Sequence, residues 1–150
     1  MKPGIILVKK FRGKPPRSME PLGYRRQLTW PEYARVRRGA APACSADKWL
    51  IYCRGGRVFF RRSGNGTLVY RVKFSQKGRG FEAVEAHVNA DREQLDPLPQ
   101  QYECRMLDYL IDRLLLGREA AFPVPEGTDL ERAAVLERIW MGDAAAGSAS

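Results

Sequence analysis

Cysteine, histidine and unbroken apolar sequence are all scarce in this chain of 150 residues, and each shortage excludes a class of protein. Cys44, Cys53 and Cys104 are odd in number, widely spaced and never arranged C-x-x-C, which fits buried free thiols in a reducing compartment better than a disulfide scaffold. His87 is the only histidine, so a zinc centre would need all four of these side chains to converge, and no metal is expected. No run approaches the ~18 apolar residues of a membrane helix, and Ile5 to Val8 is too short for a signal peptide, so no membrane partner is expected and the cytoplasm is the default setting. Gly (14) and Pro (10) are near ordinary usage, and 44% hydrophobic residues exceed what a disordered chain carries, which leaves a globular domain.

Acidic residues are scarce in one half only. Residues 1–80 hold 20 Lys and Arg against Glu20, Glu32 and Asp47, a net of +17, whereas residues 81–150 hold 6 basic and 14 acidic residues, a net of −8. The overall charge of +9 therefore conceals a basic and an acidic half. Two readings stay open: a basic pole that attracts a polyanion, or halves that neutralise each other across one interface.

The pattern predicts a short strand at Ile5–Val8 and an irregular, Pro- and Gly-rich basic segment over residues 13–23. A short helix follows, capped by Thr29 with Glu32 three residues on, with Trp30, Tyr33 and Val36 on one side, Arg35 and Arg38 elsewhere, and Gly39 as its end. Three β-branched and aromatic runs, Trp49–Arg54, Arg57–Arg62 and Thr67–Phe74, are separated by Gly55-Gly56 and Gly64-Asn65-Gly66, both hairpin signals. A two-residue first turn sets Ile51 opposite Phe60. A three-residue second loop sets Phe60 opposite Tyr70, gathering Trp49, Ile51, Cys53, Val58, Phe60, Leu68, Tyr70, Val72 and Phe74 on one face. The rival four-residue loop sets Arg61 beside Leu68; burying that unpaired charge is costly, which favours the first register.

By alternation the other face carries Leu50, Tyr52, Arg54, Arg57, Phe59, Arg61, Val69, Arg71 and Lys73. A fourth strand, about Phe81–Asn89, is expected to place Val84, Ala86 and Val88 on one face and Phe81, Ala83, Glu85 and His87 on the other. A strong helical period then runs through Tyr102, Met106, Leu107, Leu110, Ile111, Leu114 and Leu115, with Glu103, Asp108, Asp112 and Arg113 outside and Gly117 as the stop. A last helix from Thr128 is expected to pack through Leu130, Val135, Leu136, Ile139 and Trp140.

Cations interleaved with rings on an open sheet suit single-stranded nucleic acid, whose phosphates need positive charge and whose bases need stacking partners. Arg54, Arg57, Arg61, Arg71, Lys73, Lys77 and Arg79, with Tyr52 and Phe59, form this candidate site. The structural alternative is that helices cover both faces and that Arg71 or Lys73 pairs with Glu82 or Glu85. Glu85 and His87 would share a strand face and could form an acid–base pair, but no nucleophile or orienting group accompanies them, so no catalytic residue and no cofactor is expected.

One family resemblance is visible. Leu107-Asp108-Tyr109-Leu110-Ile111, Leu116-Gly117-Arg118, Pro123-Val124 and Asp129 to Trp140 resemble the closing segment of the glucose–fructose oxidoreductase / inositol dehydrogenase family, in which a helix ends at Gly-Arg and a Pro-containing loop leads to a final helix. The Ile51–Val58 hairpin also resembles that family's late sheet hairpin. The resemblance covers about residues 49–142, but the family's nucleotide-binding domain, G-x-G-x-x-G loop and Glu-Lys-Pro motif are absent, so no functional residue carries over. It implies a substrate-side sheet domain whose open face serves ligand contact or subunit pairing.

The sequence thus predicts one α+β domain over residues 1–142, with a partly irregular basic segment at 1–28 and a flexible tail at 143–150. Its core is an antiparallel sheet of four to five strands with two C-terminal helices packed on one face and a short N-terminal helix. Trp49, Ile51, Val58, Phe60, Tyr70, Val72, Leu110 and Leu114 are expected to be buried. The expected function is a non-enzymatic binding module for a polyanion, nucleic acid first. The alternative is a protein-interaction domain, an inhibitor- or immunity-type partner of an acidic protein or an orphan oxidoreductase-like sheet domain, that meets that protein or a second copy of itself as a homodimer.

Overall fold

A computed structural model describes residues 14–42 and 48–142. The expected Ile5–Val8 strand, Cys44 and the expected tail lie outside the described residues. The elements in order are β1 (Met19–Leu22), β2 (Gln27–Thr29), α1 (Trp30–Arg38), β3 (Trp49–Arg54), β4 (Arg57–Arg62), β5 (Leu68–Lys77), β6 (Gly80–Asn89), α2 (Gln100–Leu110, continued by a π-type turn over Ile111–Leu115) and α3 (Leu130–Met141). The architecture is α+β. One antiparallel sheet runs β1-β6-β5-β4-β3, with β2 pairing farther along the same edge of β6.

The β3–β4 hairpin has the expected register, with Ile51 opposite Phe60 and Arg54 opposite Arg57 around Gly55 and Gly56, both at positive φ. Between β4 and β5, both registers weighed from sequence are realised in succession. Phe60 faces Tyr70 and Val58 faces Val72, but a bulge then sets Arg61 opposite Leu68. Leu68 consequently leaves the main core cluster and Val69 joins it, the reverse of the expected alternation. The extra residue reconciles the connection from Arg62 to Leu68 with the Phe60–Tyr70 pairing, and both Leu68 and Val69 end up buried. A second bulge, between the Lys73–Glu85 and Phe74–Ala83 pairs, turns Val84 out to solvent and brings Ala83 into the core, again reversing the expected faces.

The segment read as loop over residues 13–23 contains β1. Pro21 sits there opposite His87 on an edge strand, where its missing N–H breaks no ladder bond to a further neighbour. Helix α1 has the expected cap: the Glu32 amide donates to Thr29 Oγ1 at 3.3 Å and the Thr29 amide donates to Glu32 Oε1 at 2.8 Å. Tyr33 and Val36 are buried, with Tyr33 stacked on Phe81 at 3.7 Å, whereas Trp30 is half exposed and meets Phe81 edge-on.

All three helices meet the sheet through one face. Tyr33 touches Phe74, Tyr70 reaches Glu103 of α2, and Trp49 stacks on Trp140 of α3 at 6.0 Å. Seven of the eight expected core residues are buried, and Leu114 is partly buried against the same cluster. Glu103, expected outside, is buried because Tyr70 at the centre of the sheet donates to its Oε1 at 2.6 Å. Burial pushes the Glu103 carboxyl above its usual range, partly offset by that hydrogen bond. Helix α3 is capped by Asp129, whose carboxylate accepts from the Arg132 amide, rather than from Thr128. It packs through Trp140 and Met141 at its C-terminal end, so Leu130 (90% exposed), Val135 and Ile139 face solvent, contrary to expectation.

The two charge halves are linked within the molecule. Arg26 bridges Asp108 at 3.0 Å and Asp112 at 2.7 Å, Arg17 meets Asp91 and Glu93, and Lys77 meets Glu82 at 3.0 Å. Much of the acidic half is therefore paired at the helices and at the β1–β6 edge. Most of the cations of the opposite sheet face lie outside these pairs.

Candidate functional site

The sheet face turned away from the helices is organised in rows that run across the strands. One row reads Tyr52, Phe59, Arg71 and His87 on β3, β4, β5 and β6; the next reads Arg54, Arg57, Lys73 and Glu85. Strands lie ~4.8 Å apart, so each four-residue row spans about 14 Å. The Tyr52 and Phe59 rings stack at 5.1 Å with 15° between their planes, and Phe59 is the more open of the two. The row then passes directly from an aromatic surface to a guanidinium.

The positions expected from the sequence differ in what they can offer a ligand. Arg54 is exposed, Arg71 and Lys73 are partly exposed, and among the described residues none of the three forms an ion pair. Arg57 lies directly opposite both Arg54 and Lys73, and its nearest carboxylate oxygen, on Glu85, is 4.0 Å away. Like charges directly across a strand pair are destabilising, so this arrangement costs stability in the absence of an anion. Arg61 plays a structural part, since its Nε donates to the Tyr52 hydroxyl at 2.9 Å and its Nη1 to the Gly66 carbonyl at 2.9 Å, which fixes the Tyr52 ring. Lys77 is held by Glu82, and Arg79 is exposed in the β5–β6 turn. These two sit at the far end of the long hairpin, away from the rows of Phe59 and Arg57.

The expected pairing of Arg71 or Lys73 with an acid of β6 takes a different form. Lys73 stands opposite Glu85 in register, but the ion pairs that form are Arg57–Glu85 and Lys77–Glu82, with Arg25 also 4.0 Å from Glu82. Glu85 and His87 do share this face, in a shallow groove of about 250 Å³ with Arg57, Arg71 and Lys73. The surroundings are cationic and suit an anion.

Sequence reasoning missed Arg62. It alternates onto the helix-covered side, where its guanidinium lies 4.8 Å over the Trp49 ring and 5.8 Å from that of Trp140. It also donates to the carbonyls of Trp140 at 2.9 Å and Ile139 at 3.0 Å, closing the C-terminal end of α3. A neighbouring arginine in a strand carries no sequence mark that separates this structural role from a binding role.

Cys53 and Cys104 are free and partly buried, and burial pushes both thiols up, away from the reactive thiolate. Among the described residues no group of three metal-ligating side chains converges, and no helix is long and apolar enough to cross a membrane. Comparison with known proteins gives no match to a protein-family model, to a curated protein or to a solved structure.

Proposed function

We propose that this chain is a binding module that takes a polyanion, single-stranded nucleic acid, on the sheet face turned away from α1, α2 and α3, and that it carries out no catalysis. The observation that supports this most strongly is the continuity of the Tyr52–Phe59 stack with Arg71, flanked by Arg54, Arg57 and Lys73 on the adjoining row. A base stacked on Phe59 would bring its phosphates over these cations, and base–aromatic stacking contributes about 1–3 kcal/mol per base. The like-charge neighbours Arg54–Arg57–Lys73 point the same way, because Glu85, 4.0 Å from Arg57, offsets their repulsion only in part and a bound anion removes more of it.

Fluorescence anisotropy with a labelled random-sequence single strand tests the reading. Four to five phosphate contacts give a log–log salt slope of about −3 to −3.5, so affinity falls roughly a hundredfold between 50 and 200 mM salt. Replacing Arg71 and Lys73 by Gln lowers both affinity and slope. Absence of binding at 50 mM salt refutes the proposal and favours an acidic protein partner on the same face, for which a generic oligonucleotide is no substitute.

A further inference from the structure

On the opposite side of the molecule, a cleft of about 350 Å³ opens between the β5–β6 end of the sheet, the loop before α2, and α3. This is within the range of ~300–1,000 Å³ common to small-molecule sites. Its walls are mostly apolar, with Leu98, Leu136, Ile139 and Trp140 around the mouth and Val69 deeper in. Glu103, only 6% exposed, lines it as well.

The polar groups of the lining are nearly all committed. Arg62 donates to the carbonyls of Trp140 and Ile139 and lies against two indole rings. The Asn89 amide donates to the Leu68 carbonyl and to Gln94 Oε1, while its own oxygen accepts from the Asp91 amide. The Tyr102 hydroxyl donates to the Pro123 carbonyl at 3.0 Å. Glu103 differs. Its Oε1 accepts from Tyr70, but among the described residues its Oε2 has no hydrogen-bond partner and no cation pairs with it. Among the described residues no fully buried side-chain oxygen or nitrogen lacks a partner, so Oε2 keeps some exposure, and Glu103 is one of the residues that line the cleft. The other uncommitted polar group of the lining is Asp96, which is exposed and also acidic.

We infer that this cleft is a binding site for a small organic cation, a primary ammonium carried on an aromatic or aliphatic body, with the ammonium donating to Glu103 Oε2. The apolar walls take the body, and the ammonium supplies both the charge and the donor that the buried carboxylate lacks. Burial holds the Glu103 proton more firmly than usual, so a cation that binds the ionised form displaces that proton, and binding weakens on acidification. The site is separate from the basic face and does not rest on the nucleic-acid reading.

The test uses the full chain, with phenethylamine as probe and 2-phenylethanol as its neutral counterpart, followed by Trp fluorescence and NMR chemical shifts. The amine binds at least about tenfold more tightly than the alcohol at neutral pH, as one charge-assisted hydrogen bond supplies. Glu103→Gln keeps an oxygen for the Tyr70 hydroxyl but removes the charge, and it brings the two affinities within about threefold of each other. Ile139→Lys, on the exposed rim, gives a second variant independent of the buried pair; it takes apolar wall from both ligands, but its added positive charge weakens the amine more than the alcohol. Equal affinities for amine and alcohol, absence of binding by either up to about 10 mM, or an amine preference that survives Glu103→Gln overturns the assignment.

Discussion

Tyr70→Phe removes one oxygen from the centre of the core and leaves Glu103 Oε1 buried without its donor. Tyr70 is fully buried, its hydroxyl lies 2.6 Å from that oxygen, and Phe60 and Trp49 pack on its ring, so the phenyl ring keeps its place and no large cavity forms. The loss is then that of a hydrogen bond to a charged acceptor, about 1.5–3 kcal/mol. In a domain of this length each kcal/mol moves the midpoint by about 2–4 °C, so Tm falls by roughly 3–12 °C. The pH dependence gives an independent check. Because the carboxyl is raised in the folded state, its proton is held more tightly there than in the unfolded chain, and stability declines as pH rises from the ordinary carboxyl value of 4.5 through the higher folded value. Tyr70→Phe steepens that decline, since the lost bond favoured the ionised form, and Glu103→Gln abolishes this component. Urea unfolding from pH 4 to 8 measures all three proteins. A Tyr70→Phe variant within about 0.5 kcal/mol of the parent at every pH refutes this account of the buried pair.

Three further outcomes follow from the geometry. Gly80→Ala places a Cβ 2.5 Å from the Leu28 carbonyl oxygen, a backbone atom of the paired strand, so thermal unfolding shifts down by the equivalent of about 1–3 kcal/mol and amide exchange over Gln27–Thr29 accelerates. Arg26→Met removes the bridge to Asp108 and Asp112 while keeping an apolar stem; with partners still partly solvated the cost is about 1–2 kcal/mol by chemical denaturation, and an unchanged midpoint counts against a structural role for that bridge. If the basic face meets the acidic surface of a second copy, light scattering gives a dimer at low salt that dissociates toward 1 M, where the Debye length is ~3 Å; a constant monomer mass removes that assembly.

What was legible in the sequence was the part governed by local rules. Gly55-Gly56 dictates a two-residue turn, that turn dictates the Ile51–Phe60 register, and strand alternation then delivers the Tyr52–Phe59–Arg71 row. The Thr29–Glu32 box set the start of α1 for the same reason. The misses came from long-range choices. The bulges near Val69 and Val84 exist because neighbouring strands had to stay in register on both sides of a single extra residue, which no window of one strand reveals. Glu103 looked like an outward helix position because its partner, Tyr70, lies 33 residues away. Helix α3 has an apolar period, yet only its C-terminal end touches the core, and periodicity cannot say whether a partner face exists.

The central claim is that the sheet face turned away from α1, α2 and α3 is where a polyanion binds. Amide and side-chain chemical shifts, followed as a random-sequence single-stranded oligonucleotide is added at 50 mM salt, locate the contact directly. The account predicts that the largest changes fall on Phe59, Arg71, Lys73 and His87, with Arg54 and Arg57 beside them, and that they fade at 200 mM salt. Changes centred instead on the arginines of α1, or none at all on β4 and β5, contradict it.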